Sequence, residues 1–188
     1  MKKIIMWMSA AVLLAACSKK DEQPEPAPAP GQDVWIRDLP AGEKAPGDPT
    51  GGKPDTLFFS FQTNGKVAGT AQWDIAFTGI YNSTIISNIQ RNNWMSMQQQ
   101  GYDAITGLPA ADYKLSAVGS GNASPNGWFK YDINTHVVAA LPGRTILIKQ
   151  QGKTVYKMEM ISIYKGNPKA PTVETPAPYL HFRYAMFR

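Results

Sequence analysis

Few residues of this chain have the types and spacings that support covalent or metal chemistry. The sequence holds one cysteine, Cys17, and two histidines, His136 and His181. Neither histidine has a recognisable nucleophile elbow or a partner at metal-ligand spacing, and Asp103 and Asp112 stand in loop-like sequence without forming a convincing carboxylate pair. A single cysteine also excludes an internal disulfide framework. We therefore predict that the protein is not an enzyme, and the most distinctive reactive group is the thiol of Cys17.

Cys17 stands where a bacterial lipoprotein carries its lipid. Lys2 and Lys3 form a positive amino-terminal region, and residues 4–14 form an apolar segment too short to span a bilayer as a stable helix. The tetrapeptide Leu14-Ala15-Ala16-Cys17 resembles the bacterial lipobox, in which small residues fit the signal peptidase and the thiol accepts diacylglycerol. The sequence thus predicts a lipoprotein signal peptide over residues 1–16 and a lipidated Cys17, whose acyl chains replace a transmembrane helix. An ordinary secretory signal with an incidental cysteine is the alternative.

A proline-rich linker separates the lipidated cysteine from the rest of the chain. Residues 17–33 include prolines at positions 24, 26, 28 and 30, which disfavour helix and sheet and favour extended polyproline geometry. The charged cluster after Cys17, with Asp21 and Glu22, resembles the surface-export signals of some Gram-negative lipoproteins. We expect an outer-membrane, lipid-anchored protein exposed at the cell surface, with one domain over residues 34–188.

The charge balance argues against a nucleic-acid partner. The 19 basic residues fall to 17 without Lys2 and Lys3, against 14 acidic residues, so the net charge of the mature chain is +3. The basic residues are scattered and form no stripe that could follow a phosphate backbone. A hydrophobic fraction of 43% with 11% aromatic residues is typical of a globular domain.

Short runs of aromatic and β-branched residues predict an all-β domain of short antiparallel strands with long loops. The runs are residues 57–61, 73–77, 83–88, 128–131, 145–149, 155–164 and 179–187. In the last run apolar and polar residues alternate, which predicts one inward face and one water-facing face that includes His181. Gly152 between two runs predicts a hairpin over residues 145–164. Residues 34–54 read as a long loop or irregular edge that packs Trp35 inward, and residues 95–102 as a helical turn.

Several short motifs, taken in order, resemble the HmuY-like haem-binding lipoproteins. They are Phe58-Phe59-Ser60-Phe61, Trp73-Asp74-Ile75-Ala76-Phe77-Thr78-Gly79, Ser83-Thr84-Ile85-Ile86-Ser87-Asn88, Ala104-Ile105-Thr106-Gly107, Gly127-Trp128-Phe129-Lys130-Tyr131, Pro142-Gly143-Arg144, Ile161-Ser162-Ile163-Tyr164-Lys165-Gly166-Asn167-Pro168 and Tyr179-Leu180-His181-Phe182-Arg183-Tyr184. The resemblance covers residues 56–188. It implies an HmuY-like β domain that captures haem at the cell surface, from free haem or host haemoproteins, and delivers it to a TonB-dependent outer-membrane receptor.

The resemblance also implies where the iron would be held. Haem iron takes imidazole or thioether axial donors, and the porphyrin needs an apolar slot. Because the chain has no C-x-x-C-H motif, the expected cargo is haem b bound without a covalent link. The axial-ligand candidates are Met95, Met97 and His136. The pocket candidates are Trp94, Trp128 and Tyr131, with Arg91 and Lys130 to reach the propionates.

Each of these residues also has a plainer interpretation. Methionines most often fill gaps in a core, His136 could simply hydrogen-bond to a loop backbone, and the aromatic and basic residues could pack on a sheet or line a solvated rim. Exposed aromatics beside amides, as in Asn92-Asn93-Trp94 and Gln98-Gln99-Gln100, would equally suit a glycan or protein partner. A lipid-anchored β module that binds such a partner without haem is therefore the alternative function.

Overall fold

Two antiparallel sheets and one separate hairpin make up the fold. The computed structural model describes residues 28–42, 54–122 and 124–187, so the predicted signal peptide, Cys17 and most of the linker lie outside the described residues. The strands are β1 Val34–Pro40, β2 Leu57–Ser60, β3 Gly65–Val67, β4 Ile75–Thr78, β5 Thr84–Ser87, β6 Trp94–Gln98, β7 Ala117–Val118, β8 Phe129–Asp132, β9 Val137–Ala140, β10 Thr145–Gln150, β11 Thr154–Ser162 and β12 Tyr179–Met186. Short 3-10 turns cover Ile80–Asn82, Ile89–Arg91 and Tyr102–Ala104.

The first sheet pairs strands that lie far apart in the sequence. It has the order β1-β12-β11-β10-β6, the second sheet has the order β3-β2-β4-β5-β7, and β8 and β9 form the hairpin. Every strand pair within the sheets is antiparallel. Thus the first sheet joins the amino-terminal strand of the described domain to its carboxyl-terminal strand.

An aromatic core lies between the two sheets. Phe59 of β2 and Phe61, which follows β2, are fully buried, as are Phe182 and Tyr184 of β12 in the first sheet. The ring of Phe59 lies 5.2 Å from that of Phe182 in an edge-to-face arrangement, and Phe61 stacks on Tyr156 at 4.4 Å. Such pairs add about 0.5–1.5 kcal/mol each beyond the burial of their area. Packing therefore takes the place of disulfides in holding the sheets together.

The all-β prediction is confirmed, and each of the seven predicted runs overlaps a strand. The predicted hairpin is β10 and β11, which pair from Ile146 with Met158 to Gln150 with Thr154. Aromatic and β-branched residues are enriched in these strands because they pack well on a half-buried pleated surface. Local composition was therefore enough to locate the central strands of both sheets.

Two local expectations were wrong and one was wrong in part. Residues 34–40 form β1, which pairs with β12 as an irregular edge strand with a register shift, so the irregular-edge interpretation fits. Trp35 does not pack inward, because it is 44% exposed beneath the guanidinium groups of Arg37 and Arg183. Residues 94–98 form β6 rather than a helical turn, because they complete the ladder of β10. His181 is buried on β12 rather than facing water, and its Nε2 lies 3.1 Å from the Asp38 carboxylate.

The described chain offers nothing that would cross a bilayer as a helix, since none of its helical segments has the required length and hydrophobicity.

Candidate functional site

An open, mostly apolar cleft of about 550 Å³ lies between the β8–β9 hairpin and residues 80–84. Its lining residues are all uncharged: Ile80, Tyr81, Ser83, Thr84, Ser120, Asn122, Phe129, Tyr131, Ile133 and Val138. This volume falls within the roughly 300–1,000 Å³ typical of small-molecule sites. Ile80 and Ile133 are 49% and 69% exposed, so two large apolar side chains meet water at the mouth of the cleft.

One wall of the cleft is a tight turn with unusual backbone geometry. Tyr81 and Asn82 have φ values of 56° and 49°, in the left-handed region that non-glycine residues seldom adopt. The Asn82 side chain is buried and donates to the carbonyls of Ala41 and Asp55, at 2.7 and 2.9 Å. These bonds hold the turn in place and keep Tyr81 against the cleft.

Trp128 joins this wall to the hairpin. Its side chain is only 2% exposed, and its indole N–H donates to the carbonyl of Ser83 at 2.6 Å. The ring also contacts Phe129 edge-on, with centroids 4.9 Å apart. The tryptophan therefore forms a fixed base beneath the cleft rather than a side chain free to contact a ligand.

The hairpin forms the other wall and presents a polar pair. The phenol oxygen of Tyr131 and Nδ1 of His136 lie 2.6 Å apart, joined by a hydrogen bond. Asn122 fixes the backbone of Tyr131 on both sides, accepting from its N–H and donating to its carbonyl at 2.8 Å each. Tyr131 lines the cleft, whereas His136 contacts it through Tyr131. The cleft thus combines an apolar surface with one hydrogen-bonded phenol and imidazole.

Local hydrogen bonds shape the turn that carries Ile133 and His136. The N–H groups of Asn134 and Thr135 donate to the Asp132 carboxylate, which lowers the pKa of that group. On the inner side, the Tyr164 hydroxyl accepts the N–H of Val138 at 2.9 Å, and burial raises the pKa of that phenol. These hydrogen bonds therefore attach one edge of the hairpin to the core and order its tip.

The two methionine candidates face the core and do not line the cleft. Met95 is fully buried and exchanges two backbone hydrogen bonds with Leu115. Met97 lies on the same face of β6, opposite Ile146, and packs against the core cluster. The structure does not bring either thioether to His136, and ligation by Met95 would require β6 to separate from the core.

Of the remaining pocket candidates, only Tyr131 reaches the cleft directly. Arg91 donates to the buried Asp74 carboxylate and to the Trp73 carbonyl, both at 3.2 Å. Lys130 is exposed, and because side chains alternate along a strand it projects from the opposite face to Tyr131. The Trp94 indole donates to the Asn92 side chain rather than to the cleft.

The amide-rich segments proposed for a glycan surface serve the chain's own structure. Asn93 is fully buried, donates to the Asp74 carbonyl and accepts the N–H of Gln151. Gln98 donates to Ser96, and Gln100 donates to the Ala104 carbonyl. No cluster of three or more potential metal-ligating side chains occurs among the residues that the structure describes.

Sequence reasoning missed the far wall of the cleft. Ile80, Tyr81 and Thr84 come from a segment whose composition resembles any turn between two strands. Ile133 carried a usable signal, because a large apolar residue between Asp132 and Asn134 is unusual at the tip of a solvated hairpin.

Comparisons with known proteins identify the fold. No family model matches the chain, and no curated protein matches it in sequence. Among solved structures, the apo HmuY analog of Tannerella forsythia is similar, with a TM-score of 0.51, 12% identity, and coverage of 84% of this chain and 95% of that one. A Bacteroides vulgatus protein described as HmuY-like and haem-binding aligns with a TM-score of 0.45, 10% identity, and coverage of 81% and 90%. At 12% identity the first likeness is one of fold, and the chain therefore has an HmuY-like β fold.

Proposed function

We propose that this protein is a lipid-anchored, surface-exposed lipoprotein that binds haem b without a covalent link and delivers it to an outer-membrane transporter. The observation that carries the proposal is a mostly apolar cleft of about 550 Å³ whose wall includes a phenol that is hydrogen-bonded to an imidazole. Haem would be a cargo, so binding and release make up the whole function and no reaction is catalysed.

The cleft has the chemistry that a metalloporphyrin requires. The porphyrin face is flat and apolar and would pack against Ile80, Phe129 and Ile133, while the iron needs an axial donor from the wall. The Tyr131–His136 pair supplies both candidate donor atoms. If Nδ1 of His136 donates to Tyr131, its Nε2 carries the lone pair that a metal accepts.

Export and membrane attachment rest on the amino-terminal sequence. Lipidation of Cys17 and the proline-rich linker would hold the domain near the membrane, within reach of a TonB-dependent receptor. The protein would take its cargo from free haem or from a host haemoprotein.

A charge placed at the mouth of the cleft should weaken haem binding without unfolding the protein. In Ile133→Glu, an exposed apolar side chain that would pack on the porphyrin becomes an anion, which also repels the haem propionates. Since burying an isoleucine contributes about 1.5–3 kcal/mol, we expect haemin affinity to fall by roughly 10- to 100-fold. The measurement is the Soret shift of haemin titrated with the purified protein.

Leu108→Glu is the matched control. Leu108 is 55% exposed and lines a different surface depression, next to Lys157 and Phe187, so its replacement should leave the haemin titration unchanged. A wild-type protein that produces no Soret shift at micromolar haemin would refute the proposed function. Equal weakening by both substitutions would place haem elsewhere.

A further inference from the structure

Tyr131 and His136 differ in their access to a ligand. Tyr131 is among the residues that line the cleft, and it is only partly buried. His136 is reached through the Tyr131 hydroxyl, 2.6 Å from its Nδ1. A flat ligand entering the cleft would therefore meet the phenol oxygen before the imidazole.

We propose that the phenol oxygen of Tyr131 is the axial ligand of ferric haem, and that His136 is a positioning residue that holds this oxygen and accepts its proton. The inference rests on the proposed function and names the donor at that site. On binding, the O–H bond of Tyr131 breaks, its proton moves to Nδ1 of His136, and the freed lone pair forms the bond to Fe(III) in place of an axial water, which leaves to the solvent. No electron is transferred, so no oxidant or reductant is needed.

The backbone of Tyr131 is held rigidly enough to present a ligand. Tyr131 pairs with Val138 in the β8–β9 ladder, and Val138 is bonded in turn to the buried Tyr164 hydroxyl. Asn122 clamps the same residue through two hydrogen bonds of 2.8 Å. A donor on a clamped strand needs less ordering on binding than one on a loose loop.

Competing donors are turned away from the cleft. Met95 and Met97 face the core, and His181 is held by Asp38. Tyr81 is the second phenol in the lining, but it is only 2% exposed, whereas Tyr131 is partly exposed.

A phenolate donor has consequences for the choice of metal. It is an anionic oxygen ligand, and such hard donors favour trivalent ions over softer divalent ones. The cleft should therefore bind Fe(III)- and Ga(III)-protoporphyrin more tightly than Zn(II)-protoporphyrin or the metal-free ring. Sensitivity to the central metal separates ligation by Tyr131 from simple burial of the porphyrin.

The experiment combines haemin titration with resonance Raman spectroscopy of the bound protein. Wild type should show phenolate vibrations enhanced through a phenolate-to-iron charge-transfer band. Tyr131→Phe should lose that signature and bind haemin more than about tenfold more weakly. Tyr179→Phe, which removes a hydroxyl from a partly buried tyrosine outside the cleft lining, should retain both the signature and the affinity.

Variants of His136 test its positioning role. His136→Ala should keep the phenolate signature but shift its frequency and lower affinity by about tenfold, as loss of an outer-shell partner does. His136→Gln, whose amide can still bond to the phenol, should restore part of the affinity. The assignment would be overturned if His136→Ala abolished haemin binding while Tyr131→Phe kept the wild-type Raman spectrum.

The outcomes for the two proposals are distinguishable. A wild-type complex that shows a Soret shift but no phenolate vibration refutes ligation by Tyr131 and leaves haem binding intact. The absence of any shift refutes haem binding itself. The wild-type Raman spectrum decides the ligand even if the Tyr131→Phe variant does not fold.

Discussion

Replacing Asp74 with alanine is expected to lower the free energy of unfolding by about 3–5 kcal/mol, the cost of removing one partner from a buried charged network. The Asp74 carboxylate is 1% exposed and accepts hydrogen bonds from the Phe61 N–H at 2.8 Å and the Ser60 hydroxyl at 3.2 Å. It also accepts from Arg91 and from the Gln150 side chain, which ends β10. A single carboxylate therefore connects the two sheets, and its loss leaves buried donors without partners.

The measurement is urea denaturation followed by tryptophan fluorescence. Asp112→Ala is the control, because Asp112 forms an ion pair with Lys114 in which both side chains are more than 70% exposed. Exposed pairs contribute at most about 1 kcal/mol, so this variant should unfold close to wild type. Similar denaturation midpoints for both variants would mean that the Asp74 network does not couple the sheets.

Trp128→Ala is expected to cost about 3–5 kcal/mol in stability, which is typical for truncating a buried aromatic side chain. It should also abolish the haemin Soret shift, because the indole forms the base of the cleft and its N–H links the hairpin to Ser83. Both effects come from one side chain that joins the two cleft walls. Thermal unfolding and haemin titration measure them separately.

Two further variants separate packing from hydrogen bonding at this position. Trp128→Phe keeps an aromatic ring but leaves the Ser83 carbonyl without its donor, so it should lose about 1–3 kcal/mol. Trp35→Ala removes a tryptophan that is 44% exposed and contacts two guanidinium groups, and it should lose no more than about 1 kcal/mol. A Trp128→Ala protein with wild-type stability would show that the base of the cleft is not anchored as described.

The parts of the fold that were predictable are those with a local signal. Residues 145–150 and 154–162 are rich in Ile, Val and Tyr around a glycine turn, so both strands and their hairpin follow from composition. Strands β1 and β6 carry weaker local preferences and exist because β12 and β10 offer them a ladder. His181 lies on the predicted face of β12, opposite Leu180 and Phe182, but that face is covered at His181, which alternation alone does not reveal.

The cleft was only partly predictable because it is assembled from distant segments. The hydrogen bond from the Trp128 indole to the Ser83 carbonyl brings residues 80–84 and 129–138 together. No periodicity in the sequence predicts this contact. Tyr131 and His136 were both named as candidates, but their contact across a hairpin emerges only from the structure. The methionines of β6 were plausible donors by type, and their strand turns them inward.

Strand β1 is an edge strand, and its irregularity bears on how the protein behaves at high local concentration. Its register shifts between Ile36 and Leu39, where Asp38 has a φ of 49° and its carboxylate accepts the N–H of Gly166. A bulge of this kind interrupts the row of free amides that an incoming strand would need. Neighbouring copies should therefore not pair edge to edge through β1 into one continuous sheet.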